Sequence, residues 1–100
     1  MNLAKPIIDI QQQIERGITI LRQGGLVAYP TDTVYGLGAS MSLSQAVARI
    51  YEVKGRSPNS PLPLLLADVS QIADVAGKVS PSAWCFIRNF WPGALTLILP

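Results

Sequence analysis

Apolar and polar positions follow two different periods along this chain, and the switches between them divide it into elements. Ile10, Ile14, Ile18 and Leu21 recur at helical spacing, while Gln11, Gln12, Glu15, Arg16 and Arg22 take the opposite face. That pattern predicts an amphipathic helix, stopped by Gly24 and Gly25. Leu26 to Tyr29 is a short apolar run closed by Pro30, which predicts a buried strand. Pro30 to Ser40 has no helical period and carries hydroxyls and glycines, so it is expected to be a loop. Ser42 or Ser44 is placed to cap a second helix, with Val47, Ile50 and Tyr51 inward and Gly55 as its stop.

Beyond that helix, Arg56 to Ser60 is polar and turn-like, and Leu62 to Leu66 predicts a second strand. Pro63 has no N–H, which restricts that strand to an edge or to a position without a ladder partner. Asp68 or Ser70 caps a short helix ending at Gly77. Ser80 and Pro81 open another, since Ser accepts from the first turn and Pro is preset for it. It runs to about Phe90 and is broken by Trp91-Pro92-Gly93. Ala94 to Leu99 predicts a third strand. Helices interleaved with strands argue for an α/β layer arrangement. A last strand with nothing after it leaves sheet uncovered, so the chain reads as part of a larger fold and, if it stands alone, is expected either to be marginally stable or to self-associate as a homo-oligomer.

Composition narrows the classes. One hundred residues allow one domain, and 49% apolar against 14% charged residues excludes a disordered chain. Eight Lys and Arg against six Asp and Glu leave +2, too small to identify a partner by charge alone. There is no histidine, which removes a His-based triad, a His-bearing zinc site and an imidazole base. The single Cys85 stands between Trp84 and Phe86 and reads as a small buried hydrophobe, not a nucleophile. Met1 to Pro6 lacks a leader pattern and no apolar run approaches the ~20 residues a membrane span takes, so the expectation is a cytoplasmic protein without membrane contact.

Three segments carry candidate chemistry. Pro30 to Gly38 leaves the end of a strand, where open α/β sheets bind ligands. Thr31, Thr33 and Tyr35 alternate and would point one way if the segment is extended. Its bland reading is a loop with turn glycines. Lys54 to Leu62 places Lys54 and Arg56 just past a helix, with Arg49 a turn behind. These cations either answer the helix's last carbonyls or clamp phosphate, for which Arg offers a planar fork and Lys a point charge. Phe90 to Thr96 carries two aromatics that plug a core or, less simply, stack on a base. The GxGxxG and GxxxxGK[ST] phosphate patterns are both absent.

Together the three segments resemble one family. Gly-Gly-Leu-Val-Ala-Tyr-Pro-Thr-Asp-Thr-Val-Tyr-Gly-Leu-Gly (24–38) is similar to its N-terminal signature, Ile-Tyr-Glu-Val-Lys-Gly-Arg (50–56) with Ser-Pro-Leu (60–62) to its KxR segment, and Phe-Trp-Pro-Gly-Ala-Leu-Thr (90–96) to its third block. The family is the YrdC/TsaC-type L-threonylcarbamoyladenylate synthases. The resemblance implies a YrdC-like domain with a twisted open mixed sheet and flanking helices, of which residues 1–100 would be the N-terminal part.

It also implies a reaction: L-threonine, bicarbonate and ATP give threonylcarbamoyl-AMP and pyrophosphate, for the t6A modification of tRNA. By the same resemblance Lys54 and Arg56 are the catalytic, ATP-binding cations. Ser60 stands where many members carry an ATP-binding Asn. Thr33 binds threonine, with Thr31 and Tyr35 beside it. A His that contacts threonine in some members falls at Leu65. Mg²⁺ would arrive on the triphosphate, because no residue cluster suits a metal of its own. The family domain is about twice as long and completes its nucleotide site with a Ser-x-Asn motif that nothing here matches.

One alternative is a catalytically incomplete fragment, an inactive remnant that shares the first half of the fold, and two rivals come from other classes. Relatives of the fold present a concave positive surface, which makes tRNA or double-stranded RNA an alternative ligand. The related domain of hydrogenase-maturation carbamoyltransferases performs carbamoyl transfer, though its companion domains have no counterpart here.

Overall fold

A computed structural model describes residues 9–100. The leader reading of Met1 to Pro6 lies outside the described residues. The chain divides into two compact units, Met1–Pro61 and Leu62–Pro100, and each is described by itself.

The first unit opens with helix α1 (Ile10–Arg22). Asp9 caps it, its carboxylate accepting from the Gln11 N–H at 3.2 Å. The helix ends on a left-handed Gly24 (φ 85°), and two bonds close it: Gly25 N–H to the Ile20 carbonyl at 2.8 Å and Gly24 N–H to the Leu21 carbonyl at 3.1 Å. This is the paired closure that glycine permits after a helix. Strand β1 (Val27–Tyr29) follows and packs on α1. The apolar stripe of α1 is less enclosed than its pattern predicts, with Ile10, Ile14 and Ile18 exposed by 72%, 50% and 42%. The reason is length. A three-residue strand spans ~10 Å against ~20 Å for a thirteen-residue helix, so it covers only part of the stripe.

Strand β2 (Gly36–Gly38) pairs antiparallel with β1 in the register Val27↔Gly38, Ala28↔Leu37, Tyr29↔Gly36. The expected loop from Pro30 to Ser40 is therefore a hairpin turn followed by a strand. Two of the three β2 residues are glycines, which carry no period-two signal, so nothing in the sequence marks it. Helix α2 (Ser44–Lys54) buries Ala46 and Ile50, with Val47 and Tyr51 half-buried as expected. Neither Ser42 nor Ser44 caps it. The N-cap position is Leu43, which provides no side-chain bond, and the Ser42 hydroxyl pairs with that of Ser40 at 2.9 Å instead.

In the second unit Asp68 opens a 3₁₀ turn (Val69–Gln71) that runs into α3 (Ile72–Val75). The Asp68 carboxylate accepts from the Ser70 N–H at 3.3 Å and from the Ser70 hydroxyl, while the Gln71 amide oxygen accepts from the Ala67 and Asp68 N–H groups at 2.8 and 3.3 Å. Helix α4 (Pro81–Phe90) starts as predicted, with Ser80 accepting from the Ala83 N–H at 3.1 Å and Pro81 in the first turn. Ile72 and Ile87 form the buried centre of this unit.

The two strands predicted here do not form ladders. Leu62 to Leu66 is irregular, with Leu64 and Leu65 exposed by 50% and 77%. Ala94 to Leu99 keeps the pleat's alternation, with Leu95, Leu97 and Leu99 half-buried and Ala94, Thr96 and Ile98 exposed, but it has no ladder partner among the described residues. A period-two pattern specifies an extended backbone, and a strand also needs a neighbour to bond. The α/β class stands, as helices with a small antiparallel sheet. Among the described residues no helix is long and apolar enough to cross a membrane.

Candidate functional site

The hydroxyl-bearing segment sits in the turn between β1 and β2. It is not extended, so Thr31, Thr33 and Tyr35 do not share one face by strand alternation. The backbone bends through Asp32 to Val34. The Thr31 hydroxyl donates to the Val34 carbonyl and accepts from the Thr33 N–H at 3.2 Å. Thr31 is thus consumed in building the turn, a local side-chain bond of the kind Thr favours. Its oxygen lies 3.5 Å from that of Thr33. Thr33 and Tyr35 are exposed, Tyr35 by 75%. β1 and β2 hold the turn at both ends.

The basic segment is set by the end of α2. Gly55 is left-handed (φ 63°, ψ 31°) and ends the helix right after Lys54. The Arg56 N–H bonds back to the Tyr51 carbonyl at 2.9 Å and the Gly55 N–H to the Glu52 carbonyl at 3.2 Å. Lys54 is the last helical residue and Arg56 the first after the stop, so the backbone fixes the start of both exposed side chains. The following turn closes on itself. Ser60 N–H donates to the Ser57 carbonyl at 2.9 Å, and Asn59 N–H to the Ser57 hydroxyl at 3.3 Å. The Tyr51 phenol donates to the Ser60 carbonyl at 2.6 Å. The sequence placed Tyr51 only as an inward-facing apolar group. The signal available was a phenol, which seeks a partner when half-buried, one turn before a serine-rich loop.

The structure therefore brings Thr31, Thr33 and Tyr35 together in one turn and Lys54, Arg56 and Ser60 in another. Both belong to the first unit. Among the described residues no hydrogen bond joins the two turns. Arg49 is exposed on α2, and Leu65 lies in the second unit. No group of three His, Cys, Asp or Glu residues able to hold a metal occurs among the described residues.

The third block behaves differently from expectation. Phe90 is 55% exposed and stacks on Phe86 with ring centroids 6.1 Å apart, so it does not plug a core. Trp91 is half-buried, and its indole N–H donates to the Leu95 carbonyl at 2.8 Å, folding the segment back on itself. Cys85 is exposed, not buried, with the Asn89 amide 3.5 Å from its sulfur. The pair Trp84 and Phe86 suggested burial, but Phe86 is itself 49% exposed, and successive helical residues point about 100° apart, so Cys85 does not follow the half-buried Trp84 inward.

Comparison with known proteins now decides the lineage. The Sua5/YciO/YrdC family, described as "Telomere recombination", matches residues 19–100. The chain belongs to this family. It is 49% identical over 88 residues to a threonylcarbamoyl-AMP synthase from Bacillus subtilis, covering 88% of this chain and 25% of that protein. A threonylcarbamoyl-AMP synthase from Pyrococcus abyssi is 41% identical over 99 residues, covering 94% and 29%. One from Coxiella burnetii is 35% identical, covering 92% and 50%. Among solved structures, Sua5 from P. abyssi complexed with L-threonine matches with a TM-score of 0.77 at 41% identity, covering 81% of this chain and 24% of that one. The chain thus spans a quarter to a half of the length of these curated relatives.

Proposed function

We propose that residues 1–100 are the N-terminal part of a YrdC-like domain of a cytoplasmic threonylcarbamoyl-AMP synthase. The observation that carries this reading is a backbone-fixed pair of exposed cations, Lys54 and Arg56, on a self-closed turn in a chain 49% identical to an enzyme of that name. Ile98, exposed by 97%, and the unladdered segment it belongs to fit a domain that continues beyond these elements.

The chemistry suits the residues present. The threonine amine takes up bicarbonate with loss of water to give a carbamate. A carbamate oxygen then attacks the α-phosphorus of ATP, and pyrophosphate leaves with the electron pair of the broken P–O bond. No protein nucleophile is needed. Lys54 and Arg56 neutralise phosphate charge, Arg56 through two parallel donors. The Ser60 hydroxyl donates to a phosphate oxygen. The Thr33 hydroxyl and the Tyr35 phenol receive threonine, with Thr31 shaping their turn. Mg²⁺ comes as part of the nucleotide substrate. The acceleration comes from holding the two substrates in line and from charge neutralisation. The product then serves t6A formation in tRNA.

The test is pyrophosphate release by the whole protein that carries this chain, dependent on both threonine and bicarbonate. Lys54→Ala and Arg56→Ala are each expected to lower it about a hundredfold, the scale of one lost preorganised charge contact. Wild-type turnover in either variant removes that residue from the site.

A further inference from the structure

One residue holds both ends of the turn that carries the cations. The Tyr51 carbonyl accepts from the Arg56 N–H at 2.9 Å, and its phenol donates to the Ser60 carbonyl at 2.6 Å. The two bonds bracket Arg56 to Ser60 from a single helical position. The carbonyl bond belongs to any glycine-stopped helix, but the phenol bond requires this side chain. We propose that Tyr51 is a positioning residue for the phosphate-binding turn: its phenol fixes the Ser60 peptide, and so the distance and direction of Ser60 relative to Arg56, before nucleotide binds. This rests on the reading of Lys54, Arg56 and Ser60 as phosphate ligands.

The physical argument is preorganisation. Without the phenol bond, Ser57 to Ser60 is held on the helix only through Gly55 and Arg56, and the Ser60 carbonyl turns to water. The turn then has to be ordered when the nucleotide arrives, and that cost falls on nucleotide affinity. Tyr51 is half-buried, so its ring also packs. Tyr51→Phe keeps the ring and deletes only the hydroxyl, which separates the two roles. Threonine is received on another turn and owes nothing to Tyr51.

The experiment compares wild type, Tyr51→Phe and Lys54→Ala in the whole protein. ATP and inorganic tripolyphosphate binding are measured by calorimetry, and KM for ATP and for threonine by pyrophosphate release. Tyr51→Phe is expected to weaken ATP and tripolyphosphate alike by about three- to tenfold, the span of one hydrogen bond of ordinary net strength, with KM for threonine unchanged. Equal loss on both ligands places the effect on the phosphates and not on the base. Unchanged ATP affinity in Tyr51→Phe, with Lys54→Ala weakened, overturns the positioning role and leaves the site reading intact. Unchanged affinity in Lys54→Ala overturns the site reading itself. A fall in kcat with both KM values unchanged marks a loss of folded protein and also overturns the positioning role.

Discussion

Replacing Gly55 by alanine isolates the backbone term that ends α2. The added Cβ would meet nothing within 4 Å, so the substitution carries no steric clash. Its cost lies in the left-handed conformation, φ 63° and ψ 31°, which disfavours an L-residue by about 1–2 kcal/mol. Against this, alanine restricts the unfolded chain and returns about 0.4–1 kcal/mol. The net expectation is a loss of roughly 0.5–1 kcal/mol. With a urea slope of about 1–1.5 kcal/mol/M, the unfolding midpoint falls by about 0.5 M with the slope unchanged. Gly55→Asn, which tolerates this conformation better, is expected to lose about half as much. Amide exchange at Arg56 gives a local readout, because its N–H bonds back to Tyr51 across the glycine. A midpoint that stays or rises in Gly55→Ala, or an Arg56 amide that exchanges no faster, would refute the argument that a left-handed glycine sets the turn.

Asp68 gives a pH dependence with a definite sign. Hydrogen bonds from the Ser70 hydroxyl and then the Ser70 amide hold its carboxyl below the ordinary value. Its contribution to the α3 start is therefore fully present above about pH 4 and is lost as pH falls through the lowered folded value. NMR titration should show the protection of the Ser70 amide, relative to its intrinsic exchange rate, falling in that acid window, and Asp68→Asn should abolish the transition. Gly36→Ala would put a Cβ 2.7 Å from Tyr29 Cζ and 2.9 Å from its Oη, so the end of the ring must swing away. Thermal denaturation of Gly36→Ala, Tyr29→Ala and the double variant should give a coupling of about 1 kcal/mol, and strict additivity would show that the ring does not lie on the glycine.

Much of the frame was legible from local chemistry. The four α-helices lie where capping residues and apolar spacing put them, apart from the unused serine cap of α2, because Gly24, Gly55, Asp68 and Ser80-Pro81 act within a few residues of themselves. The candidate cations were legible for the same reason, since a helix stop places them. What was not legible depends on partners distant in sequence. β2 is two glycines and a leucine, recruited by the free edge of β1. Ala94 to Leu99 has a strand's alternation without a ladder. The hydroxyl segment bends because Thr31 bonds its own turn, where alternation alone suggested an extended face. The inward side of α2 was correct in direction, yet the phenol on it was read as bulk and not as a donor.

The bonds that close the turn after Lys54 begin and end within Tyr51 to Ser60. Such a segment is portable. Spliced after the last turn of an unrelated stable helix, it would carry its own geometry with it and present the exposed Lys54 and Arg56 side chains to solvent. The same self-sufficiency leaves Pro58 and the side chain of Asn59 open to drift during evolution, provided that the phenol, the glycine and the two flanking serines stay.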